Sequence, residues 1–227
     1  MLLCLPALAS AQVEREPPLD SVAQRALPCT ACHGQEGRAT PEGYFPRIAG
    51  KPAGYLYNQL ISFRDGRRFF PAMTYLVERQ QDDYLRDLAE YFAGIELPYA
   101  PPVDLRASAA SLERGRALVF DGDPARTIPS CRSCHGENLM GVLPATPALL
   151  GLSPDYLIAQ LGAWQHETRR ALMPDCMARI ALALTPADTQ AVTAWLASQP
   201  VPPDAKPASS FPAKPPLECG SIPVEQR

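Results

Sequence analysis

The sequence predicts an all-α protein of two tandem helical domains. Apolar and aromatic residues recur at helical spacing, strand-like alternation is scarce, and a series of features returns in the same order about one hundred residues later. In the first half, Cys29-Thr-Ala-Cys-His33-Gly is followed by Pro46-Arg-Ile-Ala-Gly50 and Tyr55-Leu-Tyr-Asn-Gln-Leu60. In the second half, Cys131-Arg-Ser-Cys-His135-Gly is followed by Pro147-Ala-Leu-Leu-Gly151 and Tyr156-Leu-Ile-Ala-Gln-Leu161. Chance similarity would not keep that order.

Residues 1–11 end in small residues and read as a short export segment, although they lack a positively charged start. The first domain is expected over residues 17–96. Tyr55, Gln59, Leu60 and Phe63 fall on one helical stripe, and Tyr84, Leu85, Leu88, Tyr91 and Phe92 on another. The prolines of Leu97-Pro-Tyr-Ala-Pro-Pro102 interrupt helix and mark a linker over residues 97–104. The second domain is expected over residues 105–198. Its first helix should span Ser111 to Phe120, and Ser153 before Pro154 is a helix start. Thr185-Pro-Ala-Asp188 combines a capping hydroxyl, an early Pro and an acidic residue three later. Residues 199–227 form a Pro-rich tail, read as extended over the second domain, with disorder as the other reading.

Composition narrows the function. The chain has 227 residues, 26 of them Pro, and only 7% are aromatic. Small Pro-interrupted domains with few large rings have modest cores, and a bulky apolar cofactor would supply interior to each half. The formal charge of −3 gives no electrostatic reason to expect nucleic-acid binding. Of the 21 basic residues only Lys51, Lys206 and Lys214 are lysines, so any basic docking contact must use Arg. No run after the start is long and apolar enough to span a bilayer.

The duplicated Cys-x-x-Cys-His runs carry the chemistry. Two thiols spaced this way bond covalently to a haem edge, while the adjacent imidazole reaches the iron. The cofactors expected are therefore two covalently bound haem c groups, at Cys29/Cys32/His33 and Cys131/Cys134/His135. A single zinc site would have to join runs a hundred residues apart. Thiol exchange would leave the duplicated His without a task.

The sixth ligand of the first iron is expected to be Met73, on a Pro-bent loop in Phe-Phe-Pro-Ala-Met. For the second iron, spacing from the Cys run does not choose between Met173 and Met177. Spacing to the last helix favours Met177, because Met73 precedes Tyr91 by 18 residues and Met177 precedes Trp195 by 18. Met140 is too close to His135 to reach the far face of a haem. His166 reads as a surface residue, and Arg68 and Arg170 occupy similar places before the two Met segments.

Both halves resemble the small class I cytochrome c domain, and their tandem arrangement is similar to the periplasmic di-haem cytochromes of the c-four type. The resemblance covers about residues 20–198. It implies two domains packed with their haems close together, each iron with a His/Met pair: His33 with Met73 and His135 with Met177. It also implies a proline carbonyl beside each proximal imidazole, which Pro46 and Pro147 match, although turn formation accounts for them equally well. The function implied is that of an exported, periplasmic electron carrier, not an enzyme, passing single electrons between respiratory or dehydrogenase partners. Those partners would be a redox protein or a membrane respiratory complex, with peripheral membrane association. The alternatives are a haem subunit of a flavoprotein sulfide dehydrogenase or alcohol dehydrogenase complex, and a di-haem peroxidase. Cys176, the long tail and the scarcity of Lys depart from the family pattern.

Export cleavage after Ala9 or Ala11 would remove Cys4, and haem attachment would use four more cysteines. Cys176 and Cys219 then remain, and an oxidising compartment allows them to form a disulfide that fastens the tail near Met177. Intact-mass and non-reducing peptide analysis of the matured protein is expected to show two covalent haems, no stoichiometric zinc and one fragment joining Cys176 to Cys219. Colourless protein would overturn the haem reading, and two separate thiol peptides the disulfide.

Overall fold

The computed structural model describes residues 18–103, 105–203 and 206–223. The expected export segment lies outside them. Among the described residues the regular structure is helical, in the order α1 (Val22–His33), α2 (Ala53–Arg64), α3 (Pro71–Val77), α4 (Asp82–Ala93), α5 (Ala109–Phe120), α6 (Arg132–His135), α7 (Pro154–Gln165), α8 (Cys176–Ala183) and α9 (Pro186–Ser198). β pairing is limited to isolated bridges.

In the first domain, the Ser21 hydroxyl caps α1 by accepting from Gln24 N. The helix runs straight into the first Cys run and stops at Gly34, whose φ of 74° suits a residue without a Cβ. Helices α2 and α4 pack their apolar stripes together. Leu56, Leu88, Ala89 and Phe92 join Ala26 in one buried cluster, and Phe63, Val77 and Leu85 form another. Met73 stands on the short helix α3, not on the expected Pro-bent loop. Pro71 lies in the first turn, where its missing N–H costs no hydrogen bond and its fixed φ favours helix.

The second domain differs at its entrance. Helix α5 ends at Phe120, and an intervening loop separates it from α6, which carries His135. Helices α5 and α9 cross closely at Gly115, where a Cβ would collide with the Ala191 carbonyl. The Ser153 hydroxyl caps α7, and Thr185 and Asp188 form a complete capping box at α9. Met177 is also helical, in the first turn of α8, whose cap is the Asp175 carboxylate.

Three arginines fix the surroundings. Buried Arg47 donates to Ala49 O at 3.1 Å, Leu97 O at 2.7 Å and Pro98 O at 2.9 Å, and its guanidinium lies 4.0 Å from the Tyr99 ring centroid. Tyr99 packs in turn against the second domain's core, so the linker is latched at both ends. Asp188 accepts from Arg114 Nε at 2.9 Å and Arg126 Nη1 at 2.8 Å, tying α9 to α5 and to the loop after it.

The tail residues that are described run mainly over the second domain, and they also reach the first, where Asn58 Nδ2 donates to Ser221 O at 3.4 Å and Glu96 pairs with Lys206. Leu143 N donates to Ala208 O at 2.8 Å, Ala208 N to Gly141 O at 2.9 Å, and Gly220 N to Pro174 O at 2.8 Å. Cys176 and Cys219 are joined by a disulfide.

Burial pushes the Asp188 carboxyl up, but hydrogen bonds from Arg126, Thr185 and Arg114 outweigh it and hold the group well below the usual carboxylate range. A depressed folded pKa stabilises above the unfolded value of about 3.9, and that contribution is lost as pH falls through the folded value. Asp188→Asn is expected to cost about 1.5–3 kcal/mol at pH 7. The gap from wild type should narrow in strong acid. Denaturant unfolding at both pH values measures it, and an equal midpoint at pH 7 would contradict this role.

Candidate haem sites

Each Cys-x-x-Cys-His run opens onto its own largely apolar cavity. The first, of about 410 Å³, is lined by Cys29, Cys32, His33 and Met73, with Leu56, Phe63, Leu88 and Phe92 among the apolar walls. The second, of about 190 Å³, is lined by Cys131, Cys134, His135 and Met177. Its walls include Leu157, Trp164 and Leu196, and the tail closes it with Leu217, Cys219, Ser221 and Ile222.

The imidazoles are held alike. His33 Nδ1 lies 2.8 Å from Pro46 O, and His135 Nδ1 lies 2.8 Å from Pro147 O. A carbonyl only accepts, so each Nδ1–H donates and Nε2 keeps its lone pair free for a metal. Burial lowers both imidazole pKa values and favours the neutral ring that a ligand must be.

Burial also pushes the Cys29 thiol up to about 11 and the Cys131 thiol up to about 12, the reverse of the shift that thiolate metal binding needs. Among the described residues, no three His, Cys, Asp or Glu side chains converge as a metal-donor cluster. The thiols instead lie along cavity walls, as attachment to the edge of a large planar group requires.

The methionines sort by position. Met73 and Met177 line the two cavities, whereas Met173 is 81% exposed and lies off the second wall. Met140 is buried in the second domain's core, and His166 is exposed at the end of α7.

The two cavities share a wall that the motifs did not reveal. Lys51, Tyr55, Gln59, Tyr156, Gln160 and Arg169 line both. Arg68 donates to Gln59 Oε1 at 3.1 Å in its own domain, and to Tyr156 Oη at 3.1 Å and Gln160 Oε1 at 2.6 Å in the other. Arg169 mirrors it, donating to Gln160 Oε1 at 2.9 Å, Gln59 Oε1 at 3.0 Å and Tyr55 Oη at 3.4 Å. Arg68 stacks on Phe63 and Arg169 on Trp164. Tyr55 and Tyr156, Gln59 and Gln160, Phe63 and Trp164, and Arg68 and Arg169 are each 101 residues apart. The counterpart of Arg68 is thus Arg169, not Arg170, a residue that the constant offset alone would have found.

The walls also fit a haem by what they leave unpaired. Lys51 Nζ and Trp164 Nε1 are buried donors without a hydrogen-bond partner among the described residues. Both line the second cavity, and Lys51 also lines the first. Such donors need acceptors, and haem carries carboxylates at one edge of an otherwise apolar plate.

No protein-family profile matches the chain. Comparison with individual proteins is more informative. The chain is 38% identical over 178 residues to the thiosulfate dehydrogenase electron acceptor of Thiomonas intermedia, covering 78% of this chain and 81% of that one. It is 33% identical over 146 residues to cytochrome c4 of Pseudomonas aeruginosa, covering 64% of this chain and 70% of that one. The chain belongs to the cytochrome c4 family. The crystal structure of reduced cytochrome c4 from Pseudomonas stutzeri superposes with a TM-score of 0.66 at 26% identity, covering 77% of this chain and 94% of the other. The thiosulfate dehydrogenase TsdBA of Marichromatium purpuratum superposes with a TM-score of 0.68 at 30% identity, over 76% of this chain but only 36% of that longer one.

As a cytochrome c4 the chain has two class I cytochrome c folds, carries two covalently bound haem c groups and transfers electrons between redox proteins. The sequence alone pointed to both attachment runs and to the lining methionines. It did not point to Lys51 or Trp164, whose importance lies in what they fail to bond, a property without a sequence pattern.

Proposed function

We propose that His33 and Met73 form one axial pair, that His135 and Met177 form the other, and that the chain is an exported shuttle which itself catalyses no reaction. Its donor would be a thiosulfate-oxidising dehydrogenase and its acceptor a respiratory complex at the membrane. The observation that carries the reading is the pair of cavities, each with one Cys-x-x-Cys-His run and one Met on its wall, separated by a single shared partition.

Bound there, each haem supplies a one-electron ferric/ferrous couple. The chain's task is to keep ligands and dielectric constant through that change. Pro46 and Pro147 orient the imidazoles, and the soft thioethers of Met73 and Met177 favour the ferrous state. Among the described residues no carboxylate lines the first cavity, and the one on the second, Asp175, is engaged in capping α8. The Met on each wall offers each iron a sixth ligand, which disfavours the open haem that the peroxidase reading needs. The Cys176–Cys219 disulfide supports an oxidising compartment, and no helix of the described residues is long and apolar enough to cross a membrane.

The donor is drawn from the thiosulfate dehydrogenase electron acceptor, which shares 38% identity with this chain. Joining two thiosulfate ions through a new S–S bond releases two electrons, one for each haem. Tyr44 and Phe69, 57% and 65% exposed, stand on the rim of the first cavity and offer an apolar contact for that partner.

The ligand set is tested by replacing each methionine with Ala. Met73→Ala and Met177→Ala are each expected to remove half of the far-red absorption of sulfur-ligated ferric haem, while Met173→Ala leaves it whole. Loss of half the band in Met173→Ala, with none in Met177→Ala, would reverse the assignment.

The donor is tested by stopped-flow mixing of the oxidised protein with thiosulfate and a thiosulfate dehydrogenase. Reduction of both haems is expected only when enzyme and thiosulfate are both present. A protein that ascorbate reduces but the dehydrogenase does not would overturn the proposed donor.

A further inference from the structure

Lys51 is out of place by every ordinary rule for lysine. It is 5% exposed, follows the turn at Gly50 where φ is 71°, and leads into α2. Its Nζ meets no hydrogen-bond acceptor among the described residues, and it lines both cavities. The nearby side-chain carbonyls of Gln59 and Gln160 already accept from Arg68 and Arg169. Burial pushes the ammonium down to about 8. An ammonium withdrawn from water without an anionic partner is strongly unfavourable. The partition is therefore built around negative charge that arrives with the cofactors.

The position is also unsymmetrical. At the 101-residue offset that relates the crossed arginines, the second domain has Leu152, which lines the second cavity. The second domain thus brings no lysine of its own to the partition, and the only lysine on either wall comes from the first.

We infer that Lys51 is a shared positioning cation for the carboxylate edges of both haems, and that this one residue raises the reduction potentials of both. This rests on the di-haem reading of the two cavities. The physical reason is electrostatic. Oxidation adds one positive charge to each iron, and a fixed cation in a low-dielectric wall opposes that addition at both centres. Neutralising haem carboxylates acts in the same direction, because it removes negative charge that would stabilise the ferric state. The second haem's potential is thereby set in part by a residue of the first domain.

The test is a spectroelectrochemical titration of the full di-haem protein in which Lys51→Gln is compared with Lys51→Arg and wild type. Both midpoint potentials are expected to fall in Lys51→Gln and to stay near wild type in Lys51→Arg, with haem content and the sulfur-ligand band retained in each. A fall in one potential alone, or in neither, overturns the inference. Haem content and the band report the cofactor reading independently, so its failure is distinguishable from that of Lys51. A second measurement needs no variant. With lysine-specific isotope labelling only Lys51, Lys206 and Lys214 give signals. The Lys51 signal is expected to shift at each of the two one-electron reductions, and a shift at only one would overturn the sharing.

Discussion

The arrangement depends on two crossed arginines. Arg68 and Arg169 each lie against an aromatic ring of their own domain and donate to a Tyr and a Gln of the other. Each Gln carbonyl accepts from both guanidiniums, so the two crossings share their acceptors and close on one another. Arg169 is 6% exposed, and a cation so placed needs its acceptors. Short backbone pairing reinforces the crossing, with Phe69 N donating to Thr168 O and Arg170 N to Arg67 O. The domains are thereby held in one orientation, and the partition between the cavities follows from it.

From that constraint the rest can be ordered. The linker is latched by Arg47 and Tyr99 and has little freedom to swing. The crossing places common side chains on both cavities, and the exposed rings of Tyr44 and Phe69 line the first.

The sequence made the helical pattern and both Cys runs legible because each depends on local spacing. The cap at Ser153 and the capping box at Thr185 and Asp188 were legible for the same reason. The Met73 segment proves helical where a loop is expected: a Pro in the first turn of a helix carries the same letter as a Pro that bends a loop, and Pro71 is the former. Matching Arg68 with Arg170 followed motif order instead of the constant offset. The tail could be read as extended or disordered because its prolines permit both. Its contacts with Gly141, Leu143 and Pro174 are long-range, and no local pattern announces them.

The tail's place in the second cavity bears on how the protein is assembled. Leu217, Cys219, Ser221 and Ile222 complete a wall around Cys131, Cys134 and His135, yet they are synthesised more than eighty residues after them. Chains emerge from the N-terminus onward, so this wall is absent while the second Cys run first becomes available. The cavity stays open on that side until the C-terminus arrives and Cys219 reaches Cys176. Haem attachment at the second run therefore meets an open wall before the tail docks and a closed one after it. Thiol oxidation that outran haem delivery would seal an empty compartment, making the relative timing of the two chemistries a determinant of yield.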